Sequence, residues 1–464
     1  MTDDQPPRGR RRYQTALLIV AMSAAGFNLR IAVSNLPPLF PDLAARQHLS
    51  TVELSLLGAT PVLFFGLASA FAAWLNRRHG EERVLLVALA VLAAGLVLRG
   101  VAPGVLLFPG TALAAGAIAI LNVLLASMAK RRWPERAGFL IGIYLTALCV
   151  GAILASLLAV PIYHASGDSF RLTLGVWAAP AVLAMLLWLP QLRYAEAGAA
   201  QSRSEAARSG ASRSGAAPAA PAPPRIAVQK TALAWQVTAF MGLQSLLYYA
   251  VLSWLPTIFQ DRGTSAVTAG NLLALMGAGN LIAAPLAPML AQRTPGQRAL
   301  VVPSMIAMAV GLAGSVWAPV GTAPLWVLVL GLSQGSCLGL AIYFMMARSP
   351  DPGTAASMSA FAQSVGYLMA SIGPLELGLL HSVTGSWGIP VALLLVLAAA
   401  GLGMGVLAAR PIVLSVDPAR AADQQASAQM RHTRRLRGAR HGPSPVCGRK
   451  LLPRSRQART AREE

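Results

Sequence analysis

Residues 34–42 read SNLPPLFPD, and residues 253–261 read SWLPTIFQD. Five of the nine positions match at a spacing of 219: Ser34/Ser253, Leu36/Leu255, Pro37/Pro256, Phe40/Phe259 and Asp42/Asp261. Each nonapeptide closes an apolar run long enough for a helix. A second pair supports the repeat. LNRRHGEER (75–83) answers LAQRTPGQR (290–298), each a polar turn after the second apolar run of its half. The chain therefore states one pattern twice, in the same orientation.

Working outward from the two nonapeptides, apolar runs of about 20 residues alternate with short polar connectors, the spacing that membrane-crossing helices require. We place spans at 15–38, 52–75, 83–102, 105–128, 137–162, 170–190, 233–259, 268–291, 299–318, 323–346, 354–380 and 388–409. Composition agrees: 55% of residues are hydrophobic, only 12% are charged, and the mean hydropathy is +0.57. A soluble domain carries about twice that charge. In hydrocarbon every backbone amide must be satisfied within its own segment, which leaves helices. The expected class is an all-α polytopic membrane protein: twelve transmembrane helices as two pseudo-symmetric six-helix bundles.

The expected organisation is a basic N-terminus (1–13), a first bundle (14–190), a linker (191–232), a second bundle (233–410) and a basic tail (411–464). The linker contains AGAAQSRSEAARSGASRSGAAPAAPAPPR, and the tail runs on in Arg, Ser and Pro; neither can bury a core, so both read as disordered. A formal charge of +21 would suggest nucleic acid in a soluble protein. Here most of it falls in connectors on one side: Arg8 to Arg12, then Arg77, Arg78 and Arg83, then Lys130 to Arg132 and Arg136. Arg293, Arg298, Arg348, the linker and the tail lie on the same side, against Arg46, Arg171 and Arg262 on the other. That asymmetry predicts both termini in the cytoplasm and no nucleic-acid partner. The basic start RGRRR imitates a signal peptide, but its apolar run is long and lacks a small-residue cleavage site, so an uncleaved first helix is expected. Cys149 and Cys337 fall within spans and Cys447 in the tail, which gives no disulfide framework. No metal or cofactor is implied.

Parallel six-plus-six repeats suit halves that rock about a shared site, which transport needs. Receptors and membrane enzymes have no such requirement. No HExxH, GxSxG or phosphate loop is present, and the few His and acidic residues fall at span ends, so an enzyme is not expected. A non-transporting sensor would want a signalling domain, which the tail does not supply.

Several segments carry a resemblance: FNLRIAVSNLPPLFPDL, ILNVLLASMAKRRWPERAGFLIGIY, LGVWAAPAVLAMLLWLPQ, AWQVTAFMGLQSLLYYAVLSWLPTIFQDRG and FAQSVGYLMASIGP. Across about residues 10 to 410 the chain resembles the major facilitator superfamily, and within it the cyanate permease and 2-nitroimidazole transporter branch. The turn LNRRHGEER resembles that superfamily's basic loop between helices two and three, without its usual Gly and Asp. The resemblance implies secondary transport, by alternating access, of a small anionic or polar organic solute. Import or export of neutral heteroaromatics such as nitroimidazoles is the alternative. A bacterial-type inner-membrane location goes with it. Partners implied are the small-molecule substrate, a coupling proton or counter-solute, and membrane lipid, with the protein a monomer.

The first span contains Arg30, and an arginine at a helix centre costs about 2.5–3.5 kcal/mol on insertion scales. It must face protein or water. Ser23, Gly26, Arg30, Ser34 and Pro37 share one stripe; Ala21, Ala25, Asn28, Ala32 and Asn35 share a nearly opposite one. Little of this helix can face lipid. Shifting the first stripe by 219 gives Gly242, Ser245, Tyr249, Ser253 and Pro256, so Arg30 has Tyr249 as its counterpart. The resemblance places spans 1 and 7 on the central cavity. A guanidinium fork suits a flat anion. The candidate substrate-binding set is Arg30, Asn28, Asn122, Gln244, Tyr248, Tyr249, Trp254 and Gln363, with Asn280 and Gln334 as further amides within spans. Arg99 reads as snorkelling to the headgroups. Glu376 is the candidate proton-coupling carboxylate.

Overall fold

The computed structural model describes residues 8–132, 137–192, 227–294 and 296–414. Residues 193–226 of the expected linker (191–232) and the expected tail (411–464) from 415 onward lie outside the described residues. Within them the chain through Leu414 is one compact unit and is helical throughout.

The first half comprises α1 (Arg8–Ser34), α2 (Phe40–Gln47), α3 (Thr51–His79), α4 (Glu81–Val101), α5 (Leu107–Arg132), α6 (Ala137–Ala165), α7 (Phe170–Gly175) and α8 (178–192). The second comprises α9 (Ala232–Asp261), α10 (Ala266–Arg293), α11 (Arg298–Trp317), α12 (Ala323–Ala347), α13 (Pro352–Ala370), α14 (Ile372–Thr384) and α15 (Gly388–Ala408). Among the described residues, ten stretches are long and apolar enough to cross a membrane. The other two expected spans coincide with α3, whose apolar part is Thr51–Leu67, and with α13–α14.

Three expected spans are interrupted, two of them next to prolines. Span 1 gives way at Pro37–Leu39 to a 3-10 turn before α2, because Pro37 and Pro38 have no N–H to continue the ladder. Span 6 turns at residues 176–177 between α7 and α8. Span 11 breaks at Ser371, because Pro374 cannot donate to the carbonyl four residues back.

Within the first half α1 packs on α6 and α5, and α4 on α5; within the second α9 packs on α13 and α15, and α10 on α12. The halves meet where α6 lies on α10 and α3 lies on α13 and α14. Close approach is set by residues without bulk: a Cβ on Gly26 would lie 2.7 Å from the Tyr144 carbonyl of α6. Large apolar side chains such as Leu67, Phe71, Val87, Ile282 and Val396 point outward and exposed, the expected dressing for lipid.

Arginines tie up helix ends. Arg99 is fully buried and donates to the Ala32 carbonyl at 3.0 Å and to Asn35 Oδ1 at 3.3 Å. This corrects the snorkelling expectation. The reason lies in α1, whose last carbonyls lack helical donors as the chain enters Pro37, and a cation at a helix C-terminus satisfies them. Arg262 does the same for α11 through the carbonyls of Ser315 and Ala318. Arg348 serves α15 through Ala408 at 3.0 Å.

Candidate functional site

Arg30, Tyr248, Asn280 and Gln334 each fall within two residues of the midpoint of their own apolar segment. Packing brings all four onto one cavity. α1 contributes Arg30 to it from the first half. α9 supplies Gln244, Ser245, Tyr248 and Tyr249, and α13 supplies Tyr367. Asn280 of α10, with Gln334 and Leu338 of α12, completes the lining. The interatomic space is about 250 Å³, so divided among side chains that it would hold about one water.

The cation is wrapped in π-faces. Arg30 Nη1 donates to the Tyr248 hydroxyl at 2.8 Å, and its guanidinium carbon lies 5.1 Å from the Tyr248 ring centre and 5.4 Å from that of Tyr249. Tyr248 and Tyr249 meet edge to face at 5.0 Å. Phe65 of α3 bridges Tyr249 and Tyr367, at 6.3 and 5.7 Å. Such cation–π contacts are worth about 0.5–2 kcal/mol each. Among the described residues no carboxylate is paired with Arg30. Its charge is therefore cushioned but not cancelled. An anion about 4 Å away would gain about 4 kcal/mol at an effective dielectric of 20.

Gln334 is 1% exposed, and neither its Oε1 nor its Nε2 has a hydrogen-bond partner among the described residues. Leaving a buried amide unpaired costs about 1–3 kcal/mol, and folded proteins rarely tolerate it. Gln244, by contrast, is occupied locally: its Nε2 donates to Ser245 Oγ at 2.7 Å and to the Met241 carbonyl at 3.2 Å.

Four of the eight candidates read from the sequence line the cavity: Arg30, Gln244, Tyr248 and Tyr249. The other four are placed elsewhere. Asn28 turns to α8, its amide donating to the carbonyls of Ala24 at 2.8 Å and Pro180 at 3.1 Å. Trp254 is buried against Phe40 and Trp387 and donates to the Pro374 carbonyl at 2.9 Å. Gln363 donates to Ser359 Oγ, one turn back on α13, at 2.7 Å. Asn122 of α5 is half-buried and off the cavity wall. Tyr367 on the cavity wall and Phe65 behind it were not singled out, and Ser245 entered only as a member of the shifted stripe. Glu376 is half-buried on α14 with Oε1 unpartnered among the described residues, and it too lies off the cavity wall. No group of three or more metal-ligating side chains occurs among the described residues.

Comparison with known proteins agrees with this architecture. The family model described as Major Facilitator Superfamily matches residues 18–374. The chain is 34% identical to an uncharacterized transporter, YycB, of Bacillus subtilis (strain 168), over 85% of this chain and 95% of the relative. It is 33% identical to the 2-nitroimidazole transporter of Escherichia coli (strain K12), over 81% of this chain and 91% of the relative. It is 29% identical to the cyanate transport protein CynX of the same organism, over 80% and 91%. A crystal structure of a D-xylose–proton symporter shares the fold at a TM-score of 0.66 and 17% identity, covering 87% of this chain and all of the symporter. With its repeated halves and its central cavity between them, this integral membrane chain belongs to the Major Facilitator Superfamily.

Proposed function

We propose that the protein is a secondary active transporter of a small anionic solute, working by alternating access around Arg30. One observation carries this reading: a guanidinium at mid-span with no carboxylate partner among the described residues, opening onto a cavity lined mainly by phenols and amides, with Ser245 and Leu338. A group so costly to bury is rewarded when a negative guest completes its shell. Cyanate, carboxylates and bicarbonate have the right shape and charge. The relatives named for cyanate and 2-nitroimidazole support the size class. The biased connectors support a bacterial-type cytoplasmic membrane with both termini inside, and a coupling proton is assigned to Glu376.

The tyrosine walls favour a second reading, in which the guest is a neutral heteroaromatic such as a nitroimidazole, stacked on Tyr248, Tyr249 or Tyr367 and hydrogen-bonded to Arg30. Uptake assays separate the two. In proteoliposomes holding the full chain, [¹⁴C]cyanate and a labelled nitroimidazole are compared in wild type and Arg30→Ala. The anion reading expects anion uptake that Arg30→Ala abolishes while the protein still inserts and folds. Undiminished anion uptake by that variant overturns it.

A further inference from the structure

Resting on the reading of Arg30 as the anion site, we infer that Gln334 is a specificity residue for the end of the solute opposite its charge. The guest is then a small planar anion bearing a second hydrogen-bonding group.

The argument starts from how α12 is held. Gly331, Gly335 and Gly339 recur every four residues and form one stripe. Cβ atoms there would strike α10 itself: the carbonyls of Met276 and Ala284 at Gly331 and Gly339, and that of Asn280, at 2.6 Å, at Gly335. That stripe locks the rotation of α12. Gln334 and Leu338, four apart, then share the face that lines the cavity. Gln334 cannot turn its amide elsewhere by a small rolling of the helix. The neighbouring stripe also brings Asn280 to the same wall. Two carboxamides thus stand on α10 and α12, each able to donate twice and accept twice, while Arg30 supplies the charge from α1.

The amides of the cavity differ in what they already hold. Gln244 has local partners, whereas both polar atoms of Gln334 are unpartnered among the described residues and 1% of the residue is exposed. A simple monoanion held by Arg30 leaves this amide unanswered. A guest with a hydroxyl, amide or ring nitrogen across from its charge answers it. Sites built to hydrogen-bond such a group discriminate strongly against analogues lacking it.

The test measures binding of three probes, cyanate, benzoate and 4-hydroxybenzoate, to the purified full chain by calorimetry. Wild type is expected to favour 4-hydroxybenzoate over benzoate by about tenfold. Gln334→Met keeps length and volume without the amide; it should cut that preference to below about threefold. Gln334→Asn, which withdraws the amide by one methylene, should give an intermediate preference and serves if the Met variant does not fold. Equal affinity of wild type for the two benzoates, or a preference that survives Gln334→Met, overturns the inference while Arg30-dependent cyanate binding still stands. Failure of wild type to bind any of the three removes the Arg30 reading and this one together.

Discussion

Arg30 of α1 and Tyr248 of α9 share a hydrogen bond of 2.8 Å, so the two halves of the chain touch at the cation itself. Tyr248→Phe keeps the ring wall and removes that acceptor. Hydrogen bonds between membrane helices average about 0.6 kcal/mol, so the variant should melt within a few degrees of wild type. Anion uptake should fall only severalfold, in contrast to its abolition in Arg30→Ala. Initial rates in proteoliposomes decide this.

Arg99 should behave in the opposite way. Replacing it by Met strands the Ala32 carbonyl and Asn35 Oδ1 in a dry interior, which costs about 2 kcal/mol. The melting temperature of detergent-solubilised protein should drop clearly. The stabilisation that added anion confers on the folded fraction should remain unchanged, since Arg99 does not line the cavity.

Gly378 of α14 sits against Ser55 of α3 and Trp254 of α9, and a Cβ there would strike the Ser55 hydroxyl. Gly378→Ala must therefore part α3 from α14, across the junction of the halves. In a background without native cysteines, Ser253→Cys on the adjoining face of α9 should label several times faster with a water-soluble maleimide when Gly378→Ala is present. An unchanged rate would show that the junction absorbs a methyl group without opening.

Asp168 bonds His164 Nδ1 at 2.9 Å and Arg46 at 2.7 Å, and these two contacts hold its carboxyl below the ordinary aspartate value of 3.8. A lowered folded-state value means that the ionised form stabilises the fold above the ordinary value and that this contribution disappears as pH falls through the lowered one. Asp168→Asn should therefore melt slightly below wild type at neutral pH, and the gap should close as the pH is taken below 3.8. Asn is the suitable probe because residue 168 has φ of 59°, which Asn tolerates. Melting curves across pH 3–7 measure the gap.

Much of this arrangement was legible in residue order. The matched nonapeptides and the alternation of apolar runs pointed to the paired helical halves and to ten stretches apolar enough to cross a membrane among the described residues, and the cost of Arg30 in hydrocarbon pointed to the candidate cavity. The 219-residue shift selected Tyr249 as the counterpart, one residue from the tyrosine that accepts the hydrogen bond. What could not be read was helix rotation. Gln334 and Gln363 are equivalent as letters, yet one is walled into the cavity and the other bonds its own helix. The glycines at 331, 335 and 339 carried the missing signal, since a stripe without side chains marks the face that must meet a neighbour. Arg99 was misread for a related reason. Its place near a span end suggested headgroups, and only the polar groups at the end of α1, the Ala32 carbonyl and Asn35 Oδ1, reveal why it is drawn inward. Tyr367 was hidden because it lies close to the Ser371 break, where the helical register restarts.

The cavity draws its charge from α1 and its amides from α9, α10 and α12. On the proposed reading, cargo lodged there would act as a rivet through both leaves of a hinge: while seated, it would resist their slipping apart at the centre and leave them free to tilt about it. Each crossing then begins with a fastening and ends with its release. Ligands that grip both leaves too firmly would jam the swing, so the strongest binders should rank among the slowest passengers.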